Sequence, residues 1–146
     1  MTDPVPIRVL HVEDDSNDAF LIAHAFRKRA PQVNLALVSD GRLAKDYLAG
    51  GGDYRDRLMP DLVLMDLKLP KMTGLEVLEW MKSQDGLKGL PVFILSSSSE
   101  KRDVDRAREL GARGYFPKHG SSSGLAQIVQ EIVAFAEALR GTGTRA

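Results

Sequence analysis

The sequence has no cysteine, no long apolar run and no excess of charge of either sign. Without cysteine there is no disulfide, thiol nucleophile or thiolate metal site. No apolar stretch approaches the ~18 residues of a membrane span, and the polar N-terminus does not have the form of a signal peptide. Basic and acidic residues number 20 each, without blocks of like charge. We therefore expect a single-domain cytoplasmic protein that binds neither nucleic acid nor membrane.

Short apolar stretches alternate with helical patterns along the chain. The predicted strands are Ile7–Val12, Val33–Val38, Leu62–Met65, Pro91–Leu95 and Gly114–Pro117. Apolar residues at helical spacing follow each of them, and the last helix is predicted from about Ser122 to Leu139. This alternation predicts an α/β fold, with a doubly wound five-stranded parallel sheet and helices on both faces.

The third predicted strand leads directly into an acid. Leu62–Met65 is wholly apolar, as expected for a strand that is buried on both faces, and Asp66 follows it. Pro70 prevents further pairing, and Gly74 opens a helical pattern. Asp66 is thus predicted at the carboxyl end of a central strand, where open α/β sheets place their chemistry. Taken alone, Asp66 is better interpreted as a solvated acid at a strand end.

Other predicted strands also end in polar residues: Glu13 and Asp14 follow the first strand. If these acids and Asp66 converge, their repulsion requires either a bound proton or a cation. Magnesium fits, because it needs only one or two carboxylates together with water and phosphate oxygens. Zinc does not fit a chain without cysteine or paired histidines. The three histidines are predicted in the core, on the surface and in a loop: His11, His24 and His119.

Ser96 ends the fourth predicted strand and Lys118 ends the fifth. An aspartate can act as a nucleophile toward phosphorus, and a lysine with a metal ion can neutralise the resulting phosphoryl group. Ser96 could donate a hydrogen bond to the same group. Each residue alone has an ordinary interpretation, as a turn serine, an exposed lysine or a helix-capping acid. The combination is more specific, because each member falls at the end of its own strand.

With these residues in place, the chain resembles the receiver domain of two-component response regulators from Ile7 to Leu139. Asp66 to Gly74 has the Asp-x-x-x-Pro-x-x-x-Gly spacing of that family. The resemblance implies a flavodoxin-like fold with strand order 2-1-3-4-5, a histidine kinase as phosphodonor and a downstream protein target. The roles that it implies are phosphorylation at Asp66, Mg²⁺ binding by Glu13, Asp14, Asp66 and the Lys68 carbonyl, phosphate binding by Lys118, and switching by Ser96 and Tyr115.

Two positions depart from the family pattern. His119 stands where the family usually has a proline, often with a cis bond. A cis bond before another residue costs ~3 kcal/mol, so we expect a trans bond or a strained loop after Lys118. Thr73 stands where an aspartate is common.

The long connector with Gly52–Arg55, followed by Pro60–Leu62, resembles single-domain regulators of phytochrome-type histidine kinases. The resemblance implies a receiver domain over residues 1–140, a tail over 141–146 and no output domain. It also implies a phosphoacceptor that takes part in its own Mg²⁺-dependent phosphotransfer and dephosphorylation, rather than an enzyme.

Four alternatives are weighed against this interpretation. Gly120–Gly124 fits the G-x-S-x-G pattern of serine hydrolases around Ser122, but no histidine follows it. An aspartate-nucleophile phosphatase often has a second acid two residues on, where this chain has Lys68. A nucleotide-binding module is poorly supported, because Gly50–Gly52 lacks the lysine and hydroxyl of a P-loop. A degenerate receiver that serves only as an interaction module would not need the acids, Asp66 and Lys118, which this chain has. Beryllofluoride binding would distinguish a phosphorylatable receiver from a degenerate one.

The last helix is the source of a predicted homodimer. Its apolar positions are Leu125, Ile128, Val129, Ile132, Val133, Phe135, Ala136 and Leu139. Packing on the sheet needs a stripe, predicted as Leu125, Ile128, Ile132 and Leu139. At least some of Val129, Val133 and Phe135 are expected outside it, which predicts an interface on the fourth helix, fifth strand and fifth helix. The alternative is a well-buried last helix with an ordinary wide stripe.

Overall fold

The computed structural model describes residues 5–97, 100–118 and 122–141, without the side chains of 122, 123 and 141. Its strands are β1 (Arg8–Val12), β2 (Asn34–Val38), β3 (Leu62–Met65), β4 (Val92–Ser96) and β5 (Gly114–Pro117). Its helices are α1 (Ser16–Arg29), α2 (Gly41–Ala49), α3 (Gly74–Lys82), α4 (Lys101–Glu109) and α5 (Ser122–Gly141), with a short 3₁₀ helix at Gly52–Tyr54. Every predicted element is present, and the β3 and β5 boundaries coincide with the prediction.

The five strands are parallel and run in the order β2-β1-β3-β4-β5, which confirms the predicted fold. Alternate residues of each strand face opposite sides of the sheet. In β1, Leu10 and Val12 face a core built with α2, α3 and α4, whereas Val9 faces a core built with α1 and α5. All residues of β3 are buried, as expected for a strand that is covered on both faces.

Side-chain caps begin the first three helices, α1, α2 and α3. Asp15 caps α1 by accepting a hydrogen bond from the Asp18 backbone, and Asp40 caps α2 in the same way through Leu43. Thr73 and Glu76 form a reciprocal capping box at the start of α3. Thr73, which departs from the family pattern, therefore caps the N-terminus of α3.

The connector between α2 and β3 is folded back onto α2. The Arg57 guanidinium donates hydrogen bonds to the carbonyls of Tyr47 (2.8 Å) and Leu48 (2.9 Å), which end α2. The Tyr54 ring, in the 3₁₀ helix, packs 5.0 Å from the ring of Tyr47. The glycine run predicts a long connector but not this 3₁₀ turn, because the turn depends on contacts with another element.

The predicted stripe of α5 is wrong at two positions. Val129 is fully buried, whereas Leu139 is 37% exposed. The buried residues are Leu125, Ile128, Val129, Ile132 and Ala136. At about 100° per residue, Leu139 still lies within the arc that these residues span, so its exposure comes from its position in the last turn of α5, beyond the last buried residue.

The remaining two apolar residues of α5 lie on opposite flanks of the helix, and both are half-buried. Val133 lines a groove between α1 and α5, beside Arg29 and Ala30. Phe135 packs edge-on against Phe93, at 5.0 Å between ring centroids. Most of the apolar side chains of α5 outside the buried stripe therefore also pack against other residues of the domain.

Within the described residues, no helix combines the length and the apolar character that a bilayer crossing requires.

Candidate functional site

Three acids converge at the carboxyl edge of the sheet. Glu13 and Asp14 directly follow β1, and Asp66 follows the neighbouring strand β3. One carboxylate oxygen from each lies within 4.8 Å of the others. Glu13 and Asp66 are buried, whereas Asp14 is exposed, so the cluster has a buried floor and a side open to solvent. The convergence predicted from the strand ends is confirmed for all three residues.

Backbone hydrogen bonds hold the two buried acids in register. The Asp66 amide donates to the carbonyl of Val12 at 3.1 Å, and the Glu13 amide donates to that of Val38 at 3.0 Å. The Asp66 Oδ1 atom accepts from the Lys68 amide at 3.2 Å. Because these bonds extend the sheet ladder by one residue, both carboxylates are positioned by the sheet itself.

Lys118 meets the acids from the end of β5. Its Nζ atom donates to Asp66 Oδ2 at 2.7 Å and lies 2.9 Å from Glu13 Oε1. It also donates to Asp18 Oδ2 at 2.9 Å. Asp18 stands in the first turn of α1, and the sequence interpretation missed it. Its position four residues after Asp14, at the start of the helix that leaves the site, is the signal that could have indicated it.

The geometry shifts several pKa values. Burial raises the pKa of Glu13, although Lys118 and the Asp15 amide oppose that effect. Burial lowers the pKa of Lys118, but its contacts with the carboxylates of Asp66, Asp18 and Glu13 outweigh burial and hold this pKa above its usual value. Lys118 therefore stays protonated, while burial disfavours the ionised form of Glu13.

Beneath the cluster, His11 is buried in β1. Its pKa is lowered from 6.5 to about 4, first by burial and then by the charge of Lys118, against the opposing effect of Asp66. His11 is thus a neutral core residue, and His24 is exposed, as predicted for both. His119 and its bond to Lys118 lie outside the described residues.

The acid cluster fits a hard divalent cation. Glu13 Oε1 is buried and has no hydrogen-bond partner, because its contact with Lys118 does not have hydrogen-bond geometry. The three convergent groups are all carboxylates, the oxygen ligands that Mg²⁺ and similar ions take. Four acids, including Asp18, face a single ammonium group, so a cation would also relieve their mutual repulsion.

The loop between Asp66 and α3 leaves no space for a side chain at Gly74. A Cβ atom there would lie 2.3 Å from the Asp66 carbonyl oxygen, and one at Gly41 would lie 1.7 Å from that of Met72. Lys71 adopts a positive φ of 68°, which is uncommon for a residue with a side chain. The spacing from Asp66 through Pro70 to Gly74 therefore describes a tightly folded loop that ties the acid to two helices.

The predicted switch residues lie on β4 and β5. Ser96 is fully buried at the end of β4, next to the strand that carries Asp66, and its carbonyl accepts a hydrogen bond from the Lys118 amide at 3.0 Å. Tyr115 is half-buried on β5 and lines a 70 Å³ cavity together with Val104 of α4. Both residues occupy the strands predicted for them. Of the rival interpretations, the serine hydrolase depends on the Ser122 side chain, which lies outside the described residues.

Comparison with known proteins gives the same family. Residues 9–130 match the response regulator receiver domain. The chain is 37% identical over 130 residues to the probable methanogenesis regulatory protein FilR2 of Methanothrix harundinacea, covering 87% of this chain and 81% of that protein. It is 34% identical over 130 residues to response regulator Rcp1 of Synechocystis, covering 89% of this chain and 88% of Rcp1.

Solved structures agree. The phosphorylated cyanobacterial phytochrome response regulator RcpA has a TM-score of 0.84 and 36% identity, covering 92% of this chain and 96% of RcpA. The Mn²⁺-bound form of Rcp1 has a TM-score of 0.81 and 34% identity, covering 89% and 94% of the two chains. With the acid cluster, the lysine and the sheet order already in place, these matches show that the chain belongs to the response regulator receiver domain family.

Proposed function

We propose that this protein is a phosphorylatable response regulator, which accepts a phosphoryl group on Asp66 from a histidine kinase and relays the signal to a protein partner in the cytoplasm. The observation that carries the proposal is the contact of 2.7 Å between Lys118 Nζ and Asp66 Oδ2, beside an acid cluster with one unsatisfied oxygen. A receiver that served only for binding would have no use for this arrangement.

In the proposed reaction, a carboxylate oxygen of Asp66 forms a bond to phosphorus as the P–N bond of the kinase's phosphohistidine breaks. The electron pair of that bond leaves with the imidazole, which takes up a proton from water. The Lys118 ammonium is positioned to neutralise charge on the transferred group. Glu13, Asp14, Asp66 and the Lys68 carbonyl would hold Mg²⁺, which supplies charge neutralisation and in-line positioning when bound. The chain is thus a phosphoacceptor that assists its own phosphorylation and dephosphorylation, and we do not propose an enzyme that acts on other substrates.

A phytochrome-type kinase is the proposed phosphodonor. The support comes from the relatives, since RcpA is described as a cyanobacterial phytochrome response regulator and shares 36% identity with this chain over nearly its full length. The 3₁₀ helix at Gly52–Tyr54 lies in the connector whose sequence resembles that of single-domain regulators of phytochrome-type kinases.

The signal would leave through Ser96 and Tyr115. A phosphoryl group on Asp66 adds charge beside β4, and we propose that the Ser96 hydroxyl turns toward it. Tyr115 would then move into the space that this change leaves. The cavity of 70 Å³ between α4 and β5 leaves room for a side-chain movement of this kind.

We also propose a homodimer through α4, β5 and α5. Two half-buried rings, Phe116 and Phe135, lie at this side of the domain, and within the described residues β5 pairs only with β4. Charged residues of α4, among them Lys101, Asp105 and Arg108, could form the polar rim of a two-fold interface. Val133 faces α1 instead and does not belong to this surface.

The test of the main proposal is incubation with acetyl phosphate and Mg²⁺, followed by intact-mass and peptide mass spectrometry. We expect one added phosphoryl group, carried by Asp66, and none in Asp66→Asn. Asp85→Asn, at a fully exposed acid, is the matched control and should be phosphorylated like the wild type. Phosphorylation of Asp66→Asn at the wild-type rate would refute the assignment.

A further inference from the structure

The Lys118 ammonium has an anchor that neither the cation nor the phosphoryl group would use. Within the described residues Lys118 has three carboxylate neighbours, of which Glu13 and Asp66 belong to the acid cluster and Asp18 does not. Asp18 comes from α1, and its Oδ2 atom lies 2.9 Å from Lys118 Nζ. The direct contact of Asp18 with the site is thus its bond to the lysine.

The backbone of Asp18 is fixed by the cap of its helix. The Asp18 amide donates to Asp15 Oδ1 at 2.9 Å, in the first turn of α1. The Asp18 side chain is 34% exposed and that of Lys118 is 17% exposed, so water screens the pair only in part. The pair joins the start of α1 to the end of β5, across the mouth of the site.

We propose that Asp18 is a positioning residue, which holds Lys118 at the mouth of the site when Asp66 carries a phosphoryl group. The inference rests on the function proposed above. In the described structure Lys118 donates hydrogen bonds to Asp66 and Asp18. A phosphoryl group on Asp66 and a cation at Glu13 would take both of these carboxylates away from Lys118, but Asp18 would keep its bond to the lysine. The lysine would then offer its remaining N–H groups to the phosphoryl oxygens.

The opposite role is that of a competitor. If Asp18 drew Lys118 away from the phosphoryl group, its removal would strengthen binding of a phosphoryl mimic. The geometry favours the anchor, because the same ammonium reaches Asp18 and Asp66 at once, at 2.9 and 2.7 Å. Neither contact is made at the expense of the other.

The test compares Asp18→Asn with wild type by two titrations: Mg²⁺ alone, and beryllofluoride at saturating Mg²⁺. We expect beryllofluoride to bind about fivefold more weakly to the variant, the upper range for a partly exposed ion pair. Magnesium affinity without the mimic should stay within about twofold, because Asp18 is not one of the convergent acids. Glu131→Gln, which removes the same charge from an exposed position on α5, should change neither affinity.

Unchanged or tighter beryllofluoride binding by Asp18→Asn would overturn the anchor role. So would an equal loss of both affinities, because that pattern indicates damage to the loop that carries Glu13 and Asp14. Asp66→Asn separates this inference from the proposed function. Beryllofluoride binding by that variant at wild-type strength would refute Asp66 as the phosphoacceptor, whatever Asp18→Asn shows.

Discussion

Gly74 lies so close to Asp66 that a Cβ atom would stand 2.3 Å from the Asp66 carbonyl oxygen. Alanine is normally the better helix former, by about 1 kcal/mol. At Gly74 we expect alanine to destabilise the fold instead, because its Cβ atom would clash with backbone atoms that cannot move without displacing Asp66. Gly74→Ala is expected to lower the free energy of unfolding by about 2 kcal/mol, within the usual cost of overpacking, and to weaken Mg²⁺ binding.

Gly86 provides the matched control, since nothing lies within 4 Å of a Cβ atom built there. Gly86→Ala should change stability by no more than about 0.5 kcal/mol in urea unfolding. Equal stability of the two variants would show that the loop accommodates a side chain at Gly74.

Asp14→Ala tests the open side of the acid cluster. Asp14 is exposed and has its carboxylate within 4.8 Å of those of Glu13 and Asp66. We expect Mg²⁺ affinity to fall by about tenfold, while the metal-free variant becomes more stable because repulsion is relieved. Isothermal titration and urea unfolding in EDTA measure the two effects. An unchanged Mg²⁺ affinity would mean that the ion binds elsewhere.

Ser96→Ala should separate phosphorylation from its consequence. The variant is expected to bind beryllofluoride, but the ring of Tyr115 should keep its resting environment because the hydroxyl that follows the phosphoryl group is absent. ¹⁹F NMR of fluorotyrosine-labelled protein follows the ring, with Tyr115→Phe to assign its signal. Ser83→Ala, at an exposed serine, is the control. A normal Tyr115 response in Ser96→Ala would contradict the coupling.

His11 gives the pH dependence a definite sign. Its pKa falls from 6.5 to about 4 on folding, so the unfolded chain binds the proton more readily between these values. The contribution of His11 is complete above pH 6.5 and is lost as the pH falls toward 4, by about 3 kcal/mol in all. Lys118 and Asp66 act on the same ring in opposite senses. Glu13 has the reverse effect on stability, because its pKa is raised in the folded state. The folded chain takes up this proton at a higher pH than the unfolded chain does, which favours folding as the pH falls.

The measurement is urea unfolding in EDTA at pH 7.5 and pH 5, for the wild type and His11→Leu. Leucine removes the titrating group at a buried position of similar volume. The variant should lose less stability than the wild type on acidification. An identical loss in both would show that His11 does not contribute.

Two charge reversals test the proposed homodimer. Arg108 is exposed on α4, and Arg27 is exposed on α1 on the other face of the sheet. Light scattering at tens of micromolar, with and without beryllofluoride, should show dimers for the wild type and Arg27→Glu, and weaker association for Arg108→Glu. A monomeric wild type under both conditions would refute the interface.

The sequence predicts most of this site because strand ends are easy to locate. Leu62–Met65 is bounded by Asp61 and Asp66, and parallel strands bring their carboxyl ends to one edge, so the polar residues at four separate strand ends imply one cluster. Asp18 could not be predicted in the same way. Its contact with Lys118 spans 100 residues and depends on how α1 leans across the sheet.

The sequence pattern also could not predict which apolar residues of α5 are buried. Val129 and Leu139 both lie on the apolar face of α5, and their positions along the helix decide which of them is covered, because Leu139 stands beyond the last buried residue. Periodicity indicates that one face is apolar, but it does not say how wide the buried part of that face is or where along the helix burial ends.

The acids around Lys118 have a chemical consequence for the donors that the site can use. Acyl phosphates react with amines as well as with carboxylates, and an amine attacks only after it has lost its proton. Because Asp66, Asp18 and Glu13 hold the pKa of Lys118 above its usual value, this lysine is a poor nucleophile. A small donor such as acetyl phosphate therefore meets carboxylates in the pocket but no reactive amine at Lys118, and the site protects its own lysine from acylation.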